Sequence, residues 1–176
     1  MIVLALCAGG VGIASAQSGP FQCTANGGVS TPSRAEALAD VVGDLVLNCT
    51  GGTPTASGSL VPTVNIQINL NTSVTSKLLS GNWSEALLLI DEPLPASQRM
   101  CGTSGDTVPQ AGVCTITGTG TGSGTYNGTA GRPNVFQGYQ AAANELLWTA
   151  VPIDPPGNGS LTIRITNVRA DANALV

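Results

Sequence analysis

Carboxylates are the only acid–base groups in this sequence worth testing for chemistry. The chain contains no histidine, so neither a Ser-His-Asp or Cys-His arrangement nor an imidazole-ligated metal site can form. Asp91 and Glu92, joined by Asp106, are the carboxylates that could furnish a glycosidase-like pair or a calcium site. Adjacent side chains on an extended segment point to opposite sides, and no D-x-D-x-D-G loop occurs, so the sequence indicates no enzyme, metal or cofactor. The Gly/Thr-rich stretch at 118–131 lacks the Lys-Ser/Thr and the following helix of a phosphate-binding loop. It reads as a loop or hairpin with a tight turn at Asn127-Gly128. Phe21, Trp83, Tyr126, Phe136, Tyr139 and Trp148 are the aromatic residues, and Trp83 or Trp148 with loop carboxylates could stack a sugar. An aromatic content of 3% is thin for that role, so a surface glycan is the lesser alternative.

Cysteine chemistry is more informative. Residues 1–16, MIVLALCAGGVGIASA, form an apolar run ending in the small-x-small triplet of a secretory signal peptide, with cleavage expected before Gln17. A lipoprotein signal at Cys7 is disfavoured because Leu6 stands where a small residue is needed. Cys23, Cys49, Cys101 and Cys114 then remain, and an exported chain places them where disulfides form. Four cysteines allow three pairings. Cys23–Cys49 with Cys101–Cys114 is favoured because each bridge joins sequence neighbours, stabilising by about 3 kcal/mol apiece on the chain-entropy account.

The composition bounds the rest. A chain of 176 residues with 42% apolar content supports one core, expected over residues 17–176. Only 9% of residues are charged, against roughly 25% in ordinary domains, so the surface must be polar through Ser, Thr, Asn and Gly. Such a surface suits an extracellular protein. The net charge is −4 and the six Lys and Arg residues stand apart, which leaves no basic stripe for nucleic acid. Past the leader, no apolar run is long enough to span a membrane. Five N-x-S/T sequons, at Asn48, Asn71, Asn82, Asn127 and Asn158, exceed the roughly two that chance would give, yet Thr-rich strands and Asn turns produce such triplets without modification.

The elements that must position these groups are short strands separated by Gly and Pro turns. Residues 41–71 carry the clearest pattern, read as two antiparallel strands joined by GGTPTASGS. Val64, Ile66, Ile68 and Leu70 alternate with Asn65, Gln67, Asn69 and Asn71, giving a half-buried strand. The preceding strand is nearly two-sided. Residues 34–40 suit a single helical turn or loop, and 74–79 a short strand. Ala86, Leu87, Leu88, Leu89 and Ile90 are apolar on both parities, which marks a strand buried on both faces or walling an apolar groove. Three prolines make 91–112 a long loop, followed by strand candidates at 113–119, 134–139, 145–151 and 161–168. In the last, Leu161, Ile163 and Ile165 alternate with polar residues until the parity flips at Asn167-Val168, which predicts a bulge or strand end near Thr166. The final RADANALV has no polar tail, as expected of a sequence cut from a longer protein.

The order of these parts, with GDLVLNCTGGTP, VNIQINLN and EALLLI following an early cysteine, resembles the pilin-like β-sandwich domains of secreted bacterial proteins, such as the spore coat protein U type and the chaperone–usher pilins. Blocks such as GRPNVFQG, VPIDPPG and LTIRITNVRADA are also similar to segments of large uncharacterised secreted bacterial proteins. The resemblance covers roughly residues 21–92. It implies an all-β, immunoglobulin-like antiparallel sandwich with little helix, and subunits that assemble into a homopolymer by strand donation. In that scheme 86–90 would wall the groove, and residues 17–26, whose apolar side chains are Phe21 and Cys23, would be the donor. The function expected is a secreted structural subunit of an extracellular filament, pilus or surface layer.

Overall fold

The structure, a computed structural model, describes residues 19–27, 34–102 and 114–175. Ten strands are described: β1 (Gln22–Gly27), β2 (Asp40–Val41), β3 (Leu45–Gly51), β4 (Thr63–Asn69), β5 (Leu78–Ser80), β6 (Trp83–Ile90), β7 (Val135–Ala142), β8 (Glu145–Pro152), β9 (Gly157–Thr166) and β10 (Arg169–Ala170). The fold is all-β and sandwich-like, with helix confined to the 3-10 turns Pro95–Ser97 and Asn173–Leu175. One antiparallel sheet runs in the order β1-β3-β9-β6-β7-β8-β4, with β5 attached to β6 and the small β2–β10 pair apart. It curls over a single core.

The two-sided apolar run of β6 explains its central place. It lies between β9 and β7, pairing Leu88 with Ile165 on one side and with Phe136 on the other. Ala86, Leu88 and Ile90 are wholly buried, Leu89 is buried and Leu87 half-buried. At about 1.5–3 kcal/mol for each large apolar side chain removed from water, this strand with Leu161, Ile163 and Ile165 of β9 forms the main part of the core. Trp148 of β8 fills the other half. Its indole N–H donates to the Phe136 carbonyl at 3.2 Å, and the ring fits because residue 138 is glycine, where a Cβ would stand 2.9 Å from the indole.

The two strands of 41–71 form, but not with each other. β3 pairs with β1 and β9, whereas among the described residues β4 pairs with β8 alone. The Gly/Pro-rich connection does not fold as a tight hairpin and carries the chain between two distant places in the sheet. The parity flip in β9 is a strand end: β9 stops at Thr166, and Asn167 takes a positive φ of 59° that redirects Val168 into the core.

Elsewhere the short segments are less regular than the sequence suggests. In 74–79 the strand covers only Leu78–Ser80, with Val74 in an isolated bridge to Ala170. Of 113–119, Val113 lies outside the described residues, and the rest makes a single bridge between Thr117 and Leu60. The Gly/Thr stretch is a run of turns rather than a hairpin, and 34–40 holds one turn before β2. The leader also lies outside the described residues.

Candidate functional site

Both disulfides form as favoured. Cys23 of β1 faces Cys49 of β3 directly in the strand register, and Cys101–Cys114 closes the loop whose interior lies outside the described residues. Cys101 is buried and its N–H donates to the Val135 carbonyl, so the second bridge pins that loop to β7.

Two open places on the surface differ in chemistry. The first is a seam. β1 and β4 end the sheet path, each with a partner strand on one side only among the described residues. Where the sheet curls back, the C-terminal end of β4 meets the start of β3 and the end of β9 across a slot of about 270 Å3. Leu45, Ile68, Leu70, Ile165 and Val168 line it. Ile68 and Leu70 are only half-buried although their parity is apolar, and among the described residues no further strand pairs with β4. The segment expected to be a donor is described from Gly19 onward. Phe21 is partly exposed, and β1 is hydrogen-bonded to its own β3. The Ala86–Ile90 segment lies at the centre of the sheet.

The second is a cleft of about 600 Å3 at one end of the sandwich. The loops at 54 and 121–124, Pro156 and the start of β9 at 157–160 form it, together with Asp91 just past the end of β6. Asp91 is clamped to β9: its N–H donates to the Thr162 carbonyl at 2.8 Å, and its carboxylate accepts from the Thr162 N–H at 3.2 Å. Crowding by the cleft walls desolvates the carboxyl and raises its pKa, and the Thr162 bond offsets part of that rise. Asp91 and Glu92 both hold left-handed φ angles, 60° and 46°, a costly conformation for residues other than glycine. Glu92 is held in place by Arg164, which reaches it at 2.7 Å and Asp44 at 2.8 Å. Those two acceptors, Glu92 first, raise the Arg164 pKa further.

Beneath the cleft sits a group that the sequence reading passed over. Asp154 is buried, accepting from the Thr55 N–H at 2.7 Å and from the Thr125 hydroxyl at 2.8 Å. The Tyr126 hydroxyl accepts from the Asp154 N–H at 2.6 Å and donates to the Pro152 carbonyl at 2.9 Å. Desolvation, and secondarily the nearby Asp154 charge, push the Tyr126 hydroxyl well above its ordinary pKa. Only the prolines around Asp154 hinted at a fixed loop there.

Of the carboxylates first considered for chemistry, Asp91 and Glu92 are put to separate uses. Glu92 is committed to Arg164, Asp91 lines the cleft, and Asp106 lies outside the described residues. No cluster of metal-ligating side chains occurs among the described residues, and no described helix is long and apolar enough to cross a membrane. Neither tryptophan lines the cleft. Trp148 is buried, and Trp83 packs edge-on against Tyr139 with centroids 5.1 Å apart.

Fold and surface together define an all-β, doubly disulfide-bonded protein with, among the described residues, two sheet margins paired on one side only and a cleft at one end of the strands. Compared with protein families, with curated proteins and with solved structures, the chain matches none.

Proposed function

We propose that this protein is a secreted structural subunit of an extracellular filament, pilus or surface layer, and that its subunits join by β-strand addition. The observation that carries the reading is the margin of β4: a strand with one partner among the described residues, lying beside an apolar slot. An unpaired margin offers a row of backbone donors and acceptors, and an extended segment from a second copy can satisfy them while its side chains enter the slot. The other margin is β1, with Phe21 just before it, and its residues Gln22–Gly27 differ from those of β4, so the two margins are unlike. Pairing of two unlike margins is head-to-tail and propagates, whereas like-to-like pairing stops at a dimer. Two disulfides and a surface poor in charge suit a building element outside the cell.

Electron microscopy and sedimentation of the oxidised protein at high concentration test this. Ordered polymers, abolished by Ile68→Lys while the variant keeps its fold by circular dichroism, are the expected result. A wild-type protein that stays monomeric at every concentration overturns it.

A further inference from the structure

The loop-end cleft carries a separate inference, independent of assembly because its lining shares no residue with the seam. Its volume of about 600 Å3 falls within the roughly 300–1,000 Å3 of small-molecule sites. Its lining also restricts the ligand class. Among the described residues no Lys or Arg lines the cleft, and Asp91 adds a carboxylate, so phosphates and other anions are disfavoured. One carboxylate is too few for a hard divalent cation, which takes six or more oxygen ligands for calcium. The lining is about as apolar as it is polar, which suits a ligand carrying both kinds of surface better than a lipid or a purely aromatic one. What remains is a neutral molecule with hydroxyl groups around its edge and C–H patches on its faces. Ser123, Asn158 and Ser160 supply hydroxyl and amide groups, and Pro54 and Pro156 supply pyrrolidine rings.

The cleft is also built in advance of any ligand. Gly122, at φ +74°, lies so close to the 155–156 segment that a Cβ would stand 2.8 Å from the Pro155 carbonyl oxygen, and a Cβ on Gly157 would stand 2.9 Å from Pro54. The Thr119 hydroxyl donates to the Ser123 carbonyl at 3.0 Å, and buried Asp154 ties the loops at 55 and 125 together from below. Asp91 is fixed by its reciprocal bonds to Thr162, and Glu92 is locked by Arg164. Left-handed backbone at two consecutive non-glycine residues persists only where the surroundings impose it, and it clusters at ligand sites. Preorganisation of this kind lowers the entropy lost on binding.

We propose that this cleft binds a neutral saccharide, with Asp91 accepting sugar hydroxyl hydrogen bonds, Asn158 making an amide contact, and Pro54 and Pro156 covering a C–H face of the ring. The test is saturation-transfer NMR followed by titration calorimetry on the oxidised protein. The probes are the methyl glycosides of glucose, galactose, mannose and N-acetylglucosamine and the corresponding disaccharides. At least one probe is expected to bind. Asp91→Ala should then weaken it roughly tenfold or more, since hydrogen bonds to charged groups are the strong ones, and Asn158→Ala several-fold, with Lys77→Ala unchanged. Asp91→Asn, which keeps an acceptor for the Thr162 N–H, separates loss of the ligand contact from loss of fold. No binding across the panel overturns the proposal, as does binding indifferent to both cleft variants. Calcium chloride alone titrating the cleft in an Asp91-dependent way would show a cation site instead and overturn it equally.

Discussion

Cys23 and Cys49 stand opposite one another in the β1–β3 ladder with their Cα atoms 3.9 Å apart, so the disulfide is a rung of the sheet rather than a tie between loops. β1 has no other strand partner among the described residues, and its side chains are exposed. The covalent bond therefore supplies attachment that side-chain burial in β1 does not. Replacing both cysteines by alanine should lower unfolding free energy by about 3.5 kcal/mol on the chain-entropy account for a 26-residue separation. Hydrogen exchange should show β1 amides losing protection first, with β9 and β6 retaining theirs. Loss of protection spread evenly over the sheet would contradict this.

Tyr126→Phe removes one oxygen that serves two backbone groups. The Pro152 carbonyl and the Asp154 N–H lose their partner in a buried place, and each unsatisfied group costs about 1–3 kcal/mol. A thermal melt of the variant should show a loss within or above that range, although the phenyl ring keeps the packing. A loss below about 0.5 kcal/mol would mean that water replaces the hydroxyl.

Asn167 ends β9 by taking a left-handed φ, which asparagine tolerates and β-branched residues do not. Asn167→Gly should change stability by less than about 0.5 kcal/mol, whereas Asn167→Val should cost about 1–3 kcal/mol. Denaturant unfolding of the pair checks it, and equal effects would place the turn's origin elsewhere.

That turn also shows what the sequence could and could not convey. The break in alternation at Asn167-Val168 located the end of β9, and the unbroken apolar run at 86–90 marked a strand covered on both faces, because both are properties of single segments. The partners of β3 and β4 were not legible in the same way. An alternating face records which side of a strand is buried, but not which other strand buries it. The 11 residues from 52 to 62 are long enough to lead anywhere in a domain of this size. The cleft was hidden for a related reason. Asp91, Pro54 and Asn158 lie far apart in sequence, and the antiparallel pairing of β9 with β3 and with β6 is what brings the end of β3, the start of β9 and the end of β6 together. Asp91 stood out as a carboxylate, but the sequence offered only Glu92 and Asp106 as its company.

The raised pKa of Asp91 gives the protein a pH dependence of definite sign. Desolvation in the cleft makes the charged carboxylate less favourable in the folded chain than in the unfolded one, and the Thr162 hydrogen bond only partly compensates. Between the unfolded value of 3.8 and the higher folded value, the folded state therefore holds more of the proton. The contribution of this group is fully present below the unfolded value and is lost as pH rises through the folded one. Asp91→Asn, which cannot ionise, should remove that loss. The difference in melting temperature between Asp91→Asn and wild type should then grow in favour of the variant as pH rises through that window, and level off above it. Asp91 is exposed enough for solvent to screen its charge, so the effect is small beside that of the Cys23–Cys49 bridge. A wild-type stability that instead rises relative to Asp91→Asn over the same interval would mean that hydrogen bonds to the ionised form outweigh its desolvation.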